Sequence, residues 1–228
     1  MPLFFKRLKA SIKLFWYFFK ESFFMAYGVW KLTRLPRPRV SIFGGSKIHL
    51  DHPYAKDAMR LAKKLVDNNI SVLTGGGPGI MQAANCGAVS AEHIKGIRSM
   101  GIGVRGLDEE MINACLQELV FMNYFFSRKW LLTAYSEAFV IFPGGFGTLD
   151  ELAEVSTLIQ TRKMLEEPIV LIGTEFWAPL MQWINRSQKE GLLKEKDKNL
   201  ITVTDDIDEA LRIVKARCEE SLKKNNRD

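Results

Sequence analysis

From Val40 onward the chain alternates short, unbroken apolar runs with segments of helical period, and Gly or Pro punctuates most of the changes. The apolar runs Val40–Phe43, Ile70–Leu73, Met100–Val104, Leu119–Met122, Ala138–Phe142, Pro168–Ile172 and Leu200–Val203 read as seven strands. The periodic segments Tyr54–Asp67, Ile80–Ala91, Tyr124–Tyr135, Thr148–Arg162, Trp177–Glu190 and Ile207–Cys218 read as helices. Strands without a polar face need cover on both sides, and alternation with helices supplies it. The pattern therefore predicts an α/β fold, a Rossmann-like three-layer parallel sheet with helices on both faces. This domain is expected over 39–218, with a polar tail from Glu219 that frays over 219–228.

Residues 1–38 follow a different pattern. They are a basic, aromatic extension predicted as an amphipathic helix and linker: Lys6, Lys9, Lys13 and Lys20 fall on one narrow arc of a helical wheel. Phe4, Phe5, Leu8, Ile12, Phe15, Trp16, Phe18, Phe19 and Phe23 cover most of the opposite side. Lys13, Lys20 and Glu21 interrupt the apolar run, so a transmembrane span is not expected, and no small-residue cleavage site marks a signal peptide. Two readings stay open. Residues 4–24 lie in a membrane interface, or the helix packs on the body or across a dimer seam. The Leu35-Pro36-Arg37-Pro38 stretch reads as a stiff linker.

The 47% hydrophobic content of the 228 residues argues against disorder. The net charge of +6 would suggest a polyanion partner, but residues 1–39 carry +8 and the remainder −2. The body thus has no surplus to attract nucleic acid. Cys86, Cys115 and Cys218 are too far apart for a CxxC pair, so no disulfide scaffold is expected and a reducing compartment is the default. His49, His52 and His93 form no metal-binding spacing, and no metal is expected.

Three glycine-rich loops follow strands, at Gly44-Gly45-Ser46, Gly75-Gly76-Gly77-Pro78-Gly79 and Gly144-Gly145-Phe146-Gly147. In a parallel sheet all three rim the carboxyl edge, where ligands bind. Missing Cβ atoms let backbone N–H groups approach an anion, and the following helix adds its positive end. The third loop, with Thr148 at a helix start, is expected to hold a phosphate. It lacks the Lys of a Walker A loop, and the first lacks GxGxxG, so neither triphosphate hydrolysis nor dinucleotide binding is indicated. Glu151 follows Thr148 by three positions, so it either completes a capping box or turns toward the ligand. Asp150 and Glu154 suit the helix dipole and surface pairing. Arg128 and Lys129, in an otherwise apolar helix, are either a surface stripe or the polar edge of a site.

Taken together, GGSKIH, TGGGPGIMQAANCGA, YFFSRKWLL, AFVIFPGGFGTLDELAEVSTLIQTRK and PIVLIG resemble the LOG family of phosphoribohydrolases, from about Arg39 to Asp208. The resemblance implies a nucleoside 5'-monophosphate N-glycosidase that releases free base and ribose 5-phosphate, with AMP or a related purine nucleotide as substrate. It implies Arg128 and Glu151 as catalytic residues. Substrate binding falls to Gly45, Ser46, Gly75, Gly76, Gly77, Gly79, Met81, Asn85, Lys129, Gly144, Gly145, Phe146, Gly147 and Thr148, with Phe146 either stacking on the ligand or serving as a gate or core residue. No cofactor is implied, and nothing suggests a lysine for a pyridoxal Schiff base. A homodimer is implied, and the location expected is cytoplasmic, peripheral at the inner membrane face if the first helix binds lipid. Gln82 replaces the family's Glu, and RGLDEEMINAC follows the family loop only loosely, which bears on substrate preference. The alternative is a noncatalytic nucleotide or molybdenum-cofactor carrier, a looser Rossmann-like relative.

Overall fold

The computed structural model describes residues 2–92, 96–106 and 113–225. Helix α1 (Pro2–Thr33) leads into β1 (Arg39–Phe43), α2 (Pro53–Asp67), β2 (Ser71–Thr74), α3 (Ile80–Val89), β3 (Ser99–Val104) and β4 (Glu118–Met122). There follow α4 (Phe125–Ala134), β5 (Ala138–Ile141), α5 (Phe146–Gln160), β6 (Ile169–Ile172), α6 (Thr174–Lys189), α7 (Glu195–Lys198), β7 (Ile201–Thr204) and α8 (Ile207–Asn225). The seven strands form one parallel sheet in the order β4-β3-β2-β1-β5-β6-β7. All seven expected strands are present, and the α/β Rossmann-like architecture is the one the apolar runs imply.

Because β1, β2, β5 and β6 are buried along their whole length, their alternate side chains feed two separate cores. Val40, Ile42, Val72, Val140 and Val170 pack under α2, α3 and α8. Phe43, Leu73, Phe139, Ile141 and Leu171 pack under α1, α4, α5 and α6. Helices α2 and α3 approach so closely that a Cβ on Gly87 would collide with the backbone carbonyl of Met59.

Several local features differ from the sequence expectation. Helix α5 begins at Phe146, two residues early, because Gly145 takes the cap position in extended backbone. The tail expected to fray from Glu219 instead continues α8 to Asn225, held by the buried Cys218 and Ser221 and by Lys224–Glu220 pairing. Cys86 and Cys115, expected as free thiols, form a disulfide with Cα atoms 4.8 Å apart. Their separation of 29 positions hides the contact, because α3 and the approach to β4 meet beside β3, which pairs with both β2 and β4. Cys218 remains a buried free thiol.

The extension is divided in its behaviour. Residues 4–20 are exposed on every side, whereas from Glu21 the helix docks on the body. The buried Glu21 carboxylate accepts hydrogen bonds from Asn123 Nδ2 at 2.8 Å and from the Ser127 hydroxyl. Gly28 lets α1 close on Leu131 and Met122, Lys31 and Arg34 pair with Glu118, and Leu32 and Leu35 are fully buried. The segment read as a linker is also fastened: Glu137 accepts from Arg37 Nε and from the Arg39 backbone N–H, each at 2.6 Å.

Gly87→Ala is expected to destabilise the chain by about 1–3 kcal/mol, the usual cost of overpacking against atoms that cannot yield. Urea unfolding measures it; a cost near zero would mean that α2 and α3 are less tightly apposed than described.

Candidate active site

Strand order reverses between β1 and β5: the chain first builds outward from β1 to β4, then returns through α4 to start again on the other side of β1. The loops leaving these two neighbouring strands must diverge, and a crevice opens between them. Residues 44–48 form one wall and 143–148 the other, and Gly45 N–H donates to Pro143 O at 2.9 Å where they meet. Met81, Arg128, Glu151 and Phe176 complete a cleft of about 560 Å³.

One wall is the start of α5. No side chain caps it, and Gly145, Phe146 and Gly147 are exposed, so its first N–H groups face the opening. Such groups, with the helix dipole behind them, favour an anion. Gly144 is required by close approach, since a Cβ there would strike the Thr148 side chain and Gly45 N. Thr148 is buried within the first turn and is not the cap. The capping box with Glu151 therefore does not form: Glu151 lies one turn too deep in the helix.

Glu151 instead points across to α4. Its Oε1 lies 3.3 Å from Arg128 Nη2, and both side chains are largely buried. Burial pushes the Glu151 carboxyl up to about 7, against the opposing pull of Arg128 and Lys129. A carboxylate poised near neutrality inside a cleft is able to exchange protons at working pH. Arg128 is itself held by donation from Nε to Ile102 O at 2.9 Å, and its guanidinium fills the space where a Cβ of Gly75 would stand. Gly75 thus makes room for Arg128.

Lys129, expected at the substrate, is engaged elsewhere. Its Nζ sits 2.7 Å from Asp150 Oδ2 and 2.9 Å from Glu154 Oε2, clamping α4 to α5. Burial opposes its charge, but the two carboxylates outweigh that and hold its pKa above the ordinary lysine value. Lys129 therefore braces the helices that carry Arg128 and Glu151.

The glycine loop at 75–79 lies behind this pair. Gly79, with φ of +69°, begins α3 against Gly45 O and the Ser46 backbone, a position with no space for a side chain. Asn85 is fully buried, accepting from the Thr74 hydroxyl at 2.8 Å and donating to Ser99 Oγ at 2.5 Å. Asn113 Nδ2 donates to Gly76 O and Gly77 O, fixing the loop from the far side. Gly75, Gly76, Gly77, Gly79 and Asn85 thus support the cleft floor, while Gly45, Ser46, Met81 and 144–148 line it. Of the loop expected to influence selectivity, residues 107–112 lie outside the described residues. Phe146 is 92% exposed at the rim, which excludes a core role in this chain.

Lys47, Ile48 and Phe176 were not anticipated. The first two follow the nominated Gly45-Ser46 pair, and Phe176 follows a strand that has no glycine-rich loop to advertise the same edge. Among the described residues no cluster of three or more His, Cys, Asp or Glu could hold a metal. A larger groove of about 940 Å³ elsewhere is less promising, because Arg37, Arg217 and Lys224 on its walls already pair with Glu137, Glu167 and Glu220.

The profile of a family described as "Possible lysine decarboxylase" matches residues 81–214. A probable cytokinin riboside 5'-monophosphate phosphoribohydrolase of Oryza sativa subsp. japonica is 32% identical over 72% of this chain and 65% of its own length. The chain belongs to this family, the LOG family. A cytokinin riboside 5'-monophosphate phosphoribohydrolase of Arabidopsis thaliana is 28% identical over 77% of the chain and 82% of its own. The LOG-family match thus spans about two thirds of the length of the rice relative and more of the Arabidopsis one. Among solved structures, the molybdenum cofactor carrier protein of Chlamydomonas reinhardtii aligns with a TM-score of 0.58 at 22% identity, covering 80% of this chain and 98% of that one. The molybdenum cofactor binding protein of Rippkaea orientalis gives 0.58 at 19%, covering 79% and 97%. These two show the fold.

The raised Glu151 pKa has a consequence for stability. The folded state holds a proton that the unfolded chain, near 4.5, releases, so this group's contribution is present below 4.5 and is lost as pH rises through about 7. Glu151→Gln stays neutral, so its melting temperature relative to the parent chain should climb between pH 4.5 and 7.5. A difference that does not change with pH would place the carboxyl at its ordinary pKa.

Proposed function

We propose that the chain is a nucleoside 5'-monophosphate N-glycosidase that releases free base and ribose 5-phosphate from AMP or a related purine nucleotide. The observation that carries this reading is the Arg128–Glu151 pair, with its near-neutral carboxyl, inside a cleft whose wall is an uncapped helix start. Glu151 lies five residues beyond Phe146, about 7.5 Å of helix rise. That separation suits a phosphate at the start of α5 and a ribose carbon over the carboxylate. The relatives named for riboside 5'-monophosphates support the same substrate class.

Cleavage of the N-glycosidic bond builds positive charge at C1' and the ring oxygen and negative charge on the departing base. Ionised Glu151 stabilises the first, and it orients the attacking water and accepts its proton. Arg128 favours the ionised form of Glu151 and offers its remaining donors to the phosphate or the leaving base. Lys129, tied to Asp150 and Glu154, keeps the two helices in register. The proton that Glu151 takes from water goes on to the departing base, directly or through solvent, while Asp150 stays paired with Lys129. Phe146 and Phe176 flank the opening, where aromatic faces suit a purine.

Glu151→Gln should retain AMP binding and release adenine at least about a hundredfold more slowly, the scale of general acid–base assistance. In the parent enzyme kcat/KM should fall as pH drops below about 7, as Glu151 takes up a proton. Chromatography of adenine from AMP checks both, and an unchanged variant rate removes Glu151 from the mechanism. Arg128→Ala should lose both affinity and rate. Incubation with AMP, GMP, CMP and UMP tests the class: binding without ribose 5-phosphate would favour a carrier.

A further inference from the structure

Residues 4–20 of α1 present ten large apolar side chains to solvent, among them Phe15 at 72%, Phe4 at 66% and Trp16 at 63% exposure. They belong to one helix with the segment that docks on the body, so their direction relative to the body is defined. At 100° per residue, Phe5, Ile12, Trp16, Phe19, Phe23 and Trp30 fall within about 60° of one another. Glu21, Gly28 and Leu32, the buried contacts of the helix, centre about 170° away from that stripe. The stripe therefore faces directly away from the domain, and the body cannot fold back to cover it. A flat surface can reach its whole length.

The charges decide what kind of surface. Lys6, Arg7, Lys9, Lys13 and Lys20 give residues 4–20 a charge of +5 with no acidic residue. The four lysines span an arc of about 60° that begins about 20° beyond one edge of the stripe, where their stems can lie along the apolar boundary and their ammonium groups reach outward. A second copy of the helix would bring the same +5 against it. An anionic surface neutralises it. No described helix is long and apolar enough to cross a membrane, so the arrangement is that of a helix lying in the interface.

We propose that α1 docks the protein on an anionic lipid surface, its aromatic stripe among the acyl boundary and its lysines at the headgroups, with the body held on the solvent side. The cleft and its chemistry play no part in this inference. Glu21 accepts hydrogen bonds from Asn123 and Ser127, which fasten α1 to the body and tie it to the helix that carries Arg128.

The test is flotation of the full chain with vesicles of phosphatidylcholine alone and of phosphatidylcholine mixed with phosphatidylglycerol. Binding should require the anionic lipid and weaken when salt rises from about 0.1 M to about 1 M, which shortens the screening length from about 10 to about 3 Å. Replacing Lys6, Lys9, Lys13 and Lys20 with Gln should lower partitioning at least about a hundredfold, from about fivefold per charge near such a surface. Replacing Phe5, Trp16 and Phe19 with Glu should abolish it. An unaltered unfolding midpoint shows that the body remains folded in both variants. Equal binding to neutral vesicles would overturn the proposal, as would absence of binding. Absence of binding together with oligomers that the aromatic substitutions dissolve would assign the stripe to a second copy.

Discussion

The reversal of strand order in the parallel sheet, between β1 and β5, is the constraint on which the rest of this molecule depends. These two adjacent parallel strands continue into helices on opposite faces, α2 and α5, so their loops diverge and leave a gap between them. Here the gap is the cleft, and the Gly45 to Pro143 hydrogen bond closes its base. Glycines 45 and 144 are consequences of that closeness as much as of any ligand, because side chains at these positions would meet the opposite loop or Thr148, whereas Gly44 makes room for Ile80 at the start of α3. The uncapped start of α5 then opens into the cleft.

Within this frame, an ion pair does what neither partner could do alone. A carboxyl as buried as Glu151 would stay protonated without a cation, and Arg128 pulls it back only part of the way, to about 7. The outcome is a group that can change protonation state at ordinary pH. Its position depends in turn on supports that never touch the cleft opening: the Lys129 clamp on Asp150 and Glu154, the Ile102 carbonyl under Arg128, and the vacancy left at Gly75.

Helix α1 joins two environments in one continuous helix. Its second half belongs to the domain, packed on α4 and β4 through Glu21, Gly28, Leu32 and the Glu118 ion pairs. Its first half belongs to whatever lies beyond. Ser127, which donates to Glu21, immediately precedes Arg128, so the extension and the candidate catalytic helix share a contact rather than a flexible joint.

The strands, most helices and the nucleotide-type loops were legible in the residues because each depends on local pattern: unbroken apolar runs, helical period, and glycine where a strand turns into a helix. Arg128 and Glu151 were legible through the motifs around them. Pairings across the fold were not. Nothing in the spacing distinguishes Glu151 as a helix cap from Glu151 as a partner of Arg128, places Lys129 between Asp150 and Glu154, or joins Cys86 to Cys115. The same holds for Phe176 and Lys47 in the cleft wall and for the two halves of α1. These depend on which helix faces overlie one another and where loops from non-consecutive strands meet, and such contacts come into being only when burial of the two cores sets the layers in place.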